Sequence, residues 1–372
     1  MKFQRNLMNI LFKTAATALA IVASYYLLTP AMADPLALPA RPFAHAPARL
    51  LLAVASTGPR LLAAGERGIV IYSDDKGAHW TQANVPVSVT LTGLSFPDQK
   101  NGWVVGHDGA LLATTDGGLN WQKRLDGNAI NTMMEADAKR AQDAMHANPK
   151  ATPAQIEQVG NALQDLLAAA KFGPSRPLLA VWFKTARLGW AVGAYGQALR
   201  TRDAGTTWES ISARMPNPEG LHFNAIAHGA DGALLVAGEG GRVYRSFDDG
   251  DSWKVLVTGY KGQLYGVTEP EAGALLAFGF GGHAMRSADA GAHWQELPLL
   301  GKKALVQAVA ASNGALLLVS RDGSQYRSDD KGRSFQLAGK PGNLELSGAV
   351  RHAGSLVLAG VGGIHLASET QP

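Results

Sequence analysis

Short apolar runs with a period of two recur along this chain, and small or turn-forming residues separate them. In one stretch they are Leu50–Ala55, Arg60–Ala64, Ile69–Ser73 and Trp80–Ala83, and in the next Leu91–Phe96, Gly102–Val105, Ala110–Thr114 and Trp121–Arg124. Alternation of this kind marks half-buried strands. In each group an eight-residue motif, Ser/Thr-x-Asp-x-Gly-x-x-Trp, joins the third run to the fourth. It appears at Ser73–Trp80, Thr114–Trp121, Thr201–Trp208, Ser246–Trp253 and Ser287–Trp294, and at Ser328–Phe335 with Phe for Trp. Eight residues before each Ser or Thr stands a small residue: Gly65, Gly106, Gly193, Gly238, Gly279 and Ser320. Gly360 and Ser368 read as a seventh pair.

The motif is a hairpin turn. Its aspartates (Asp75, Asp116, Asp203, Asp248, Asp289 and Asp330) can accept main-chain N–H groups within the turn. The following Gly supplies positive φ, and the Trp buries a large ring. The same role in every repeat assigns these carboxylates to the fold rather than to catalysis or calcium. Successive Ser/Thr positions lie 40 to 45 residues apart, except between Thr114 and Thr201. Four-stranded units at that period, seven times over, predict an all-β, seven-bladed β-propeller spanning 34–372. The seventh unit (Leu344–Val350, Ser355–Ala359, Gly363–Ala367) lacks a fourth strand. The Pro-rich segment 36–46 is the spare piece expected to close it.

The long step holds an insertion at about 127–174, between blades 2 and 3, that reads as an α-hairpin. One helix covers about Ile130–His146. The second starts at Thr152 as N-cap, with Pro153 first and Gln155 completing a capping box, and stops at Gly173-Pro174. The insertion leaves from the face that carries the loops between second and third strands, the face of Tyr195, Phe280 and Val361. Met133 and Met134 give its first helix an adaptable apolar side.

Composition narrows the class. The chain has 372 residues, no cysteine and a net charge of +4, without a basic run or stripe. That excludes a disulfide framework and a thiolate metal site and argues against nucleic acid. No metal-ligand spacing, phosphate loop or nucleophile–base pair stands out, so no cofactor is expected. Lys2, Arg5 and Lys13, an apolar run Thr14–Leu28 and Ala31-Met32-Ala33 form a signal peptide over 1–33. The mature protein is therefore expected in a periplasm. The residue before each Ser/Thr is Arg in four successive blades: Arg200, Arg245, Arg286 and Arg327. Such a column is either stems laid along a neighbouring blade or a basic arc for an acidic partner.

Phe96-Pro97-Asp98 followed by Gly102-Trp103-Val104-Val105-Gly106, the second copy Phe183 with Gly189-Trp190-Ala191-Val192-Gly193, and Tyr244-Arg245-Ser246 and Tyr326-Arg327-Ser328 together resemble the photosystem II assembly and stability factor family of seven-bladed propellers. The resemblance implies a non-catalytic, periplasmic or lumenal protein (thylakoid lumen in a photosynthetic source) that assists assembly of a membrane protein complex. It implies a monomer without a small-molecule substrate, and the four arginines match a basic patch associated with partner binding. Met133 and Met134 on the insertion and Tyr195 and Phe280 on the loop face break the repeat's symmetry and join the expected partner surface. The helical insertion departs from the short plant and cyanobacterial pattern. The rival class is a sialidase-like glycosidase or a glycan-binding module, with Glu66, Asp108, Glu239 and Asp322 near the channel mouth. The Arg-Ile-Pro run expected of a sialidase is replaced by Arg60-Leu61-Leu62.

Overall fold

The computed structural model describes residues 34–298, 301–311, 314–338 and 342–368. The signal segment 1–33 lies outside them. Seven antiparallel sheets follow one another along the chain, six with four strands and the last with three. Within each, strands pair in sequence order, and the first strands stand side by side around a central channel. Seven apolar clusters fill the spaces between neighbouring blades. The ring closes where first strands Leu51–Thr57 and Leu346–His352 pack together.

Every first strand carries a β-bulge at the same place, at Leu52, Thr92, Leu179, Asn224, Tyr265, Val306 and Ser347. A bulge bends and twists its strand, and seven equal bends shape one channel. Two bulged side chains also tie blades together. Thr92 Oγ1 donates to Leu178 O at 2.7 Å, and Asn224 Nδ2 to Leu264 O at 2.9 Å.

The Asp-box turns behave as the motif requires. In the first, Ser73 Oγ accepts from Gly77 N at 2.8 Å and donates to Asp75 Oδ1 at 2.8 Å; Asp75 Oδ1 accepts from His79 N at 2.9 Å. Gly77 has φ 90°, and Trp80 Nε1 donates to its carbonyl at 3.0 Å. The residue before the aromatic closes each turn through the second carboxylate oxygen, as Ser252 does to Asp248 at 2.6 Å. These bonds, from Ser252 first, hold the Asp248 carboxyl at about 2. An Asp pKa depressed in the folded state stabilises the fold above the unfolded value of about 4, and that contribution is lost as pH falls towards about 2. Thermal melts between pH 5 and pH 2 should therefore fall steeply, and Asp248→Asn should flatten part of that slope.

Three expectations are corrected. The segment 34–48 forms no strand and does not complete blade 7. It runs along blades 1 and 2 instead: Ser88 N donates to Pro35 O at 2.8 Å, Ala40 N to Val85 O at 2.9 Å, and Phe43 N to Gln82 Oε1 at 2.9 Å. Leu36 is buried between those blades, and Ala46 between blades 7 and 1. The prolines permit this extended path and supply no N–H for a ladder. Gly360 and Ser368 are not a true seventh pair. Gly360 pairs with Gly363, three residues on, whereas Gly65 bonds Ile69, four residues on. The shorter turn advances the register by one. Ala367 then faces Leu356 as Ser73 faces Leu61, and Leu366 takes the place of the arginine column. Finally, the first helix starts earlier than expected, at Gly127, because Asp126 caps it through Asn128 N and Ala129 N.

The insertion is an α-hairpin of α1 (Gly127–Ala147) and α2 (Pro153–Ala170), with the expected capping box at Thr152 and Gln155. Its foot is tight: a Cβ on Gly127 would lie 2.6 Å from Pro174 Cβ and 2.7 Å from Asp108 O. Ile130 is fully buried beneath α1, while α2 buries only Leu163. No described helix is long and apolar enough to cross a membrane.

Candidate partner-binding faces

The propeller presents a channel and two faces. The channel encloses about 660 Å³ and is lined by the first strands of all seven blades. Its lining includes Ser56, Thr92, Asn224, His228, Tyr265 and Gln307, but no Asp, Glu, Lys or Arg. A sialidase-type reaction needs an arginine cluster for a carboxylate and acidic groups at the sugar, and neither stands here. Three of the four acidic loop residues accept main-chain N–H groups of their own blade. Glu66 accepts from Leu50 N at 3.3 Å, Glu239 from His222 N at 3.3 Å, and Asp322 from Ser324 N at 3.0 Å. Burial pushes the Asp108 carboxyl up. Among the described residues, no group of three or more His, Asp or Glu is placed to hold a metal ion.

On the Asp-box face the four arginines do not form an exposed strip. Their side chains retain 3, 5, 12 and 9% of their accessibility at 200, 245, 286 and 327. Each is paired with an acid. Arg200 holds Glu209 (2.7 Å) and Asp251 (2.8 Å), Arg245 holds Asp231 (2.5 Å), Arg286 holds Glu271 (2.9 Å) and Arg327 holds Asp329 (2.6 Å). The pattern has a common cause. In the boxes of blades 2 to 5 the left-handed residue turns its carbonyl toward the preceding blade. Arg200 Nη1 donates to Asp249 O at 2.8 Å and Arg245 Nη1 to Ala290 O at 3.2 Å, each in the next box. Where the column lacks Arg, another donor appears: Arg60 reaches Gly117 O at 2.9 Å and Trp103 Nε1 reaches Ala204 O at 3.3 Å. Arg286 meets Glu271, which Arg333 of blade 6 also grips at 2.5 Å. Blade 7 has no box, and Arg327 pairs with Asp329 of its own box instead. Arg200 and Arg245 are inter-blade staples, while Arg286 and Arg327 pair with acids of their own blade, so the four do not form the exposed basic arc expected. Sequence alone does not reveal it, because every covering acid except Asp329 lies nine or more residues from its arginine.

The opposite face carries the loops between second and third strands and the α-hairpin. In blades 1, 2 and 3 the loop centre is a non-glycine residue in the left-handed region: Arg67 (φ 53°), Asp108 (φ 55°) and Tyr195 (φ 56°). Such a conformation in a Tyr is uncommon and has an energetic cost. It presents the ring outward, 57% exposed, with Arg176 5.4 Å from its centroid and His222 tilted against it at 4.8 Å. Phe280 is 60% exposed on blade 5 and Val361 55% on blade 7. Phe172, 86% exposed, stands at the hairpin's foot. Met133 and Met134 are placed otherwise than expected. They pack on the cluster of Trp103, Leu178 and Phe183 and anchor α1 between blades 2 and 3. Sequence reading did not single out Phe172, although an aromatic just beyond the helical stripe and before Gly173-Pro174 was a usable signal.

A ring of four-stranded blades tied by Asp-boxes, with an uncharged channel and an apolar-studded loop face, defines an Asp-box β-propeller with surfaces suited to protein contact. The family model "Photosynthesis system II assembly factor YCF48" matches residues 57–141 and 170–268, the two stretches on either side of the hairpin. The chain belongs to that family. The photosystem II assembly lipoprotein Ycf48 of Synechococcus sp. (strain CC9902) is 24% identical over 239 residues, covering 52% of this chain and 71% of that protein. The photosystem II assembly protein Ycf48 of Synechococcus sp. (strain JA-2-3B'a(2-13)) is 28% identical over 181 residues, covering 47% of this chain and 52% of that protein. Among solved structures, "YCF48 bound to D1 peptide" superposes with a TM-score of 0.61 at 15% identity, over 90% of this chain and all of that one. YCF48 from Cyanidioschyzon merolae gives 0.59 at 15% identity, over 87% and 96%. The WD40 propeller domain of Doa1 gives 0.55 at 9% identity, over 91% and 98%. At these identities the structural likeness establishes the fold.

Proposed function

We propose that this protein is an exported, non-catalytic scaffold that assists assembly or stability of a membrane protein complex, and that it holds an extra-membrane segment of one subunit on the loop face. Family membership supports the first half, since its relatives carry the name of photosystem II assembly factors and one solved neighbour holds a D1 peptide. The observation that carries the second half is the clustering of exposed apolar side chains. Of the eight large ones exposed among the described residues, Phe172, Tyr195, Phe280 and Val361 stand on this face or at the hairpin's foot. Aromatic anchors of this kind dominate binding energy in protein interfaces. The signal segment supports a periplasmic address, and the protein acts as a monomer.

The test is recovery of membrane-complex subunits from gently solubilised membranes. The baits are wild type, Tyr195→Ser/Phe280→Ser, a 127–174 deletion and, as an opposite-face control, Phe247→Ser. Recovery should fall at least tenfold for the first two variants and stay at wild-type level for the control. Equal recovery by all four baits would remove the loop face from the account.

A further inference from the structure

The seven inter-blade clusters are not equivalent. Six contain the box aromatic of the later blade: Trp80, Trp121, Trp208, Trp253, Trp294 or Phe335. The cluster between blades 6 and 7, built on Leu317, Val319, Leu346, Leu356 and Leu358 with Ala367 packed against it, contains no ring. The same blade has no fourth strand among the described residues. Among the described residues its outer strand, Gly363–Ser368, pairs on one side only, with Ser355–Gly360. An unpaired edge is a template for another strand. Two further groups on that strand lack satisfaction: Leu366 is 54% exposed, and His365 Nε2 is buried without a hydrogen-bond partner.

We propose that the outer edge of blade 7 is a strand-acceptor groove. It takes an extended peptide segment of a partner protein that enters with an aromatic side chain and continues as a fourth strand. Main-chain bonds to the edge would supply affinity, and the ring, filling the place that the box Trp fills elsewhere, would supply specificity. The chemistry selects the occupant. A second copy can offer its own free edge, Gly-Ile-His-Leu-Ala-Ser, but that edge contains no aromatic. Residues 369–372, Glu-Thr-Gln-Pro, contain none either. Segment 34–48 does contain Phe43, but that ring packs between blades 7 and 1 beside Ile364, not in the cluster between blades 6 and 7. The inference goes beyond the loop-face reading and does not depend on it.

The probe is a fluorescein-labelled peptide copying residues 250–258, blade 4's box aromatic with its fourth strand, titrated into the full chain and read by fluorescence anisotropy. Saturable binding is expected, at least tenfold weaker for the peptide with Trp253→Ala. Two variants close the groove. Ala367→Trp places a ring there from within, and Ala367→Glu places a charge there should the first variant fold poorly. Each should abolish peptide binding with melting within a few degrees of wild type. The loop-face variant Tyr195→Ser/Phe280→Ser should bind the peptide normally, so failure of one surface is distinguishable from failure of the other. No saturable binding, or binding indifferent to both the peptide's Trp and Ala367, overturns the proposal. So does a dimer in light scattering that either Ala367 variant dissociates, since the edge would then serve a second copy.

Discussion

Deleting residues 34–48 should cost more stability than removing any single blade contact, although the segment contributes no strand. Leu36 is 2% exposed and Ala46 3%, so deletion uncovers apolar surface at two separate inter-blade spaces. Full burial of a Leu contributes about 2 kcal/mol. Ser88 N and Val85 O lose their main-chain partners together, as does the Lys123 ammonium that donates to Leu36 O at 3.2 Å. Gly363 loses the wall formed by Pro47 and Ala48. The sum is on the order of 5 kcal/mol, a large fraction of a typical folding free energy. Differential scanning calorimetry should show a melting point lower by ten degrees or more. Leu36→Asp alone should recover about half of that loss. A deletion that melts within two degrees of wild type would show that the segment merely rests on the surface.

Arg200→Ala should be the most damaging single change on the Asp-box face. The guanidinium bridges Glu209 of its own blade to Asp251 and Asp249 O of the next. Charge-assisted bonds lost from a buried site cost about 2 kcal/mol, and the half-exposed carboxylates limit the loss by rehydrating. Arg200→Lys should fail nearly as badly, because an ammonium cannot span the three acceptors that the planar fork reaches. Arg245→Ala acts at a separate interface, so the double variant should show near-additive loss in urea titrations. Should either variant melt like wild type yet lose a bound partner, the arginines would return to the binding surface.

Much of the architecture was legible because it repeats. Six Asp-boxes fix the third and fourth strands, the small residue eight positions earlier fixes the second, and the doubled step between Thr114 and Thr201 locates the hairpin. What stayed hidden is what does not repeat or is not local. The bulge at Thr92 or Tyr265 has no signature of its own, since it arises from packing around the channel. The pairing of Arg245 with Asp231 depends on loops whose lengths differ in each blade. Segment 36–46 reads as a strand because blade 7 lacks one, and no rule of composition tells the two paths apart. Of the site, Tyr195 and Phe280 were visible as departures from the repeat on a shared loop position. Met133 and Met134 were also visible, but whether a Met faces a partner or its own core depends on how the helix is rotated.

At four of the joints between blades a staple ends on a main-chain carbonyl. The box residue that offers the carbonyl is Gly117, Ala204, Asp249 or Ala290, three different residue types in one role. A grip on the backbone does not read the identity of what it holds. Blades can therefore diverge on their outer loops, accept an insertion as long as the hairpin, or be duplicated whole, without a matched change next door. The ring is a coupling standard that any blade of this pattern fits, and diversity of the exposed faces follows from uniformity at the joints.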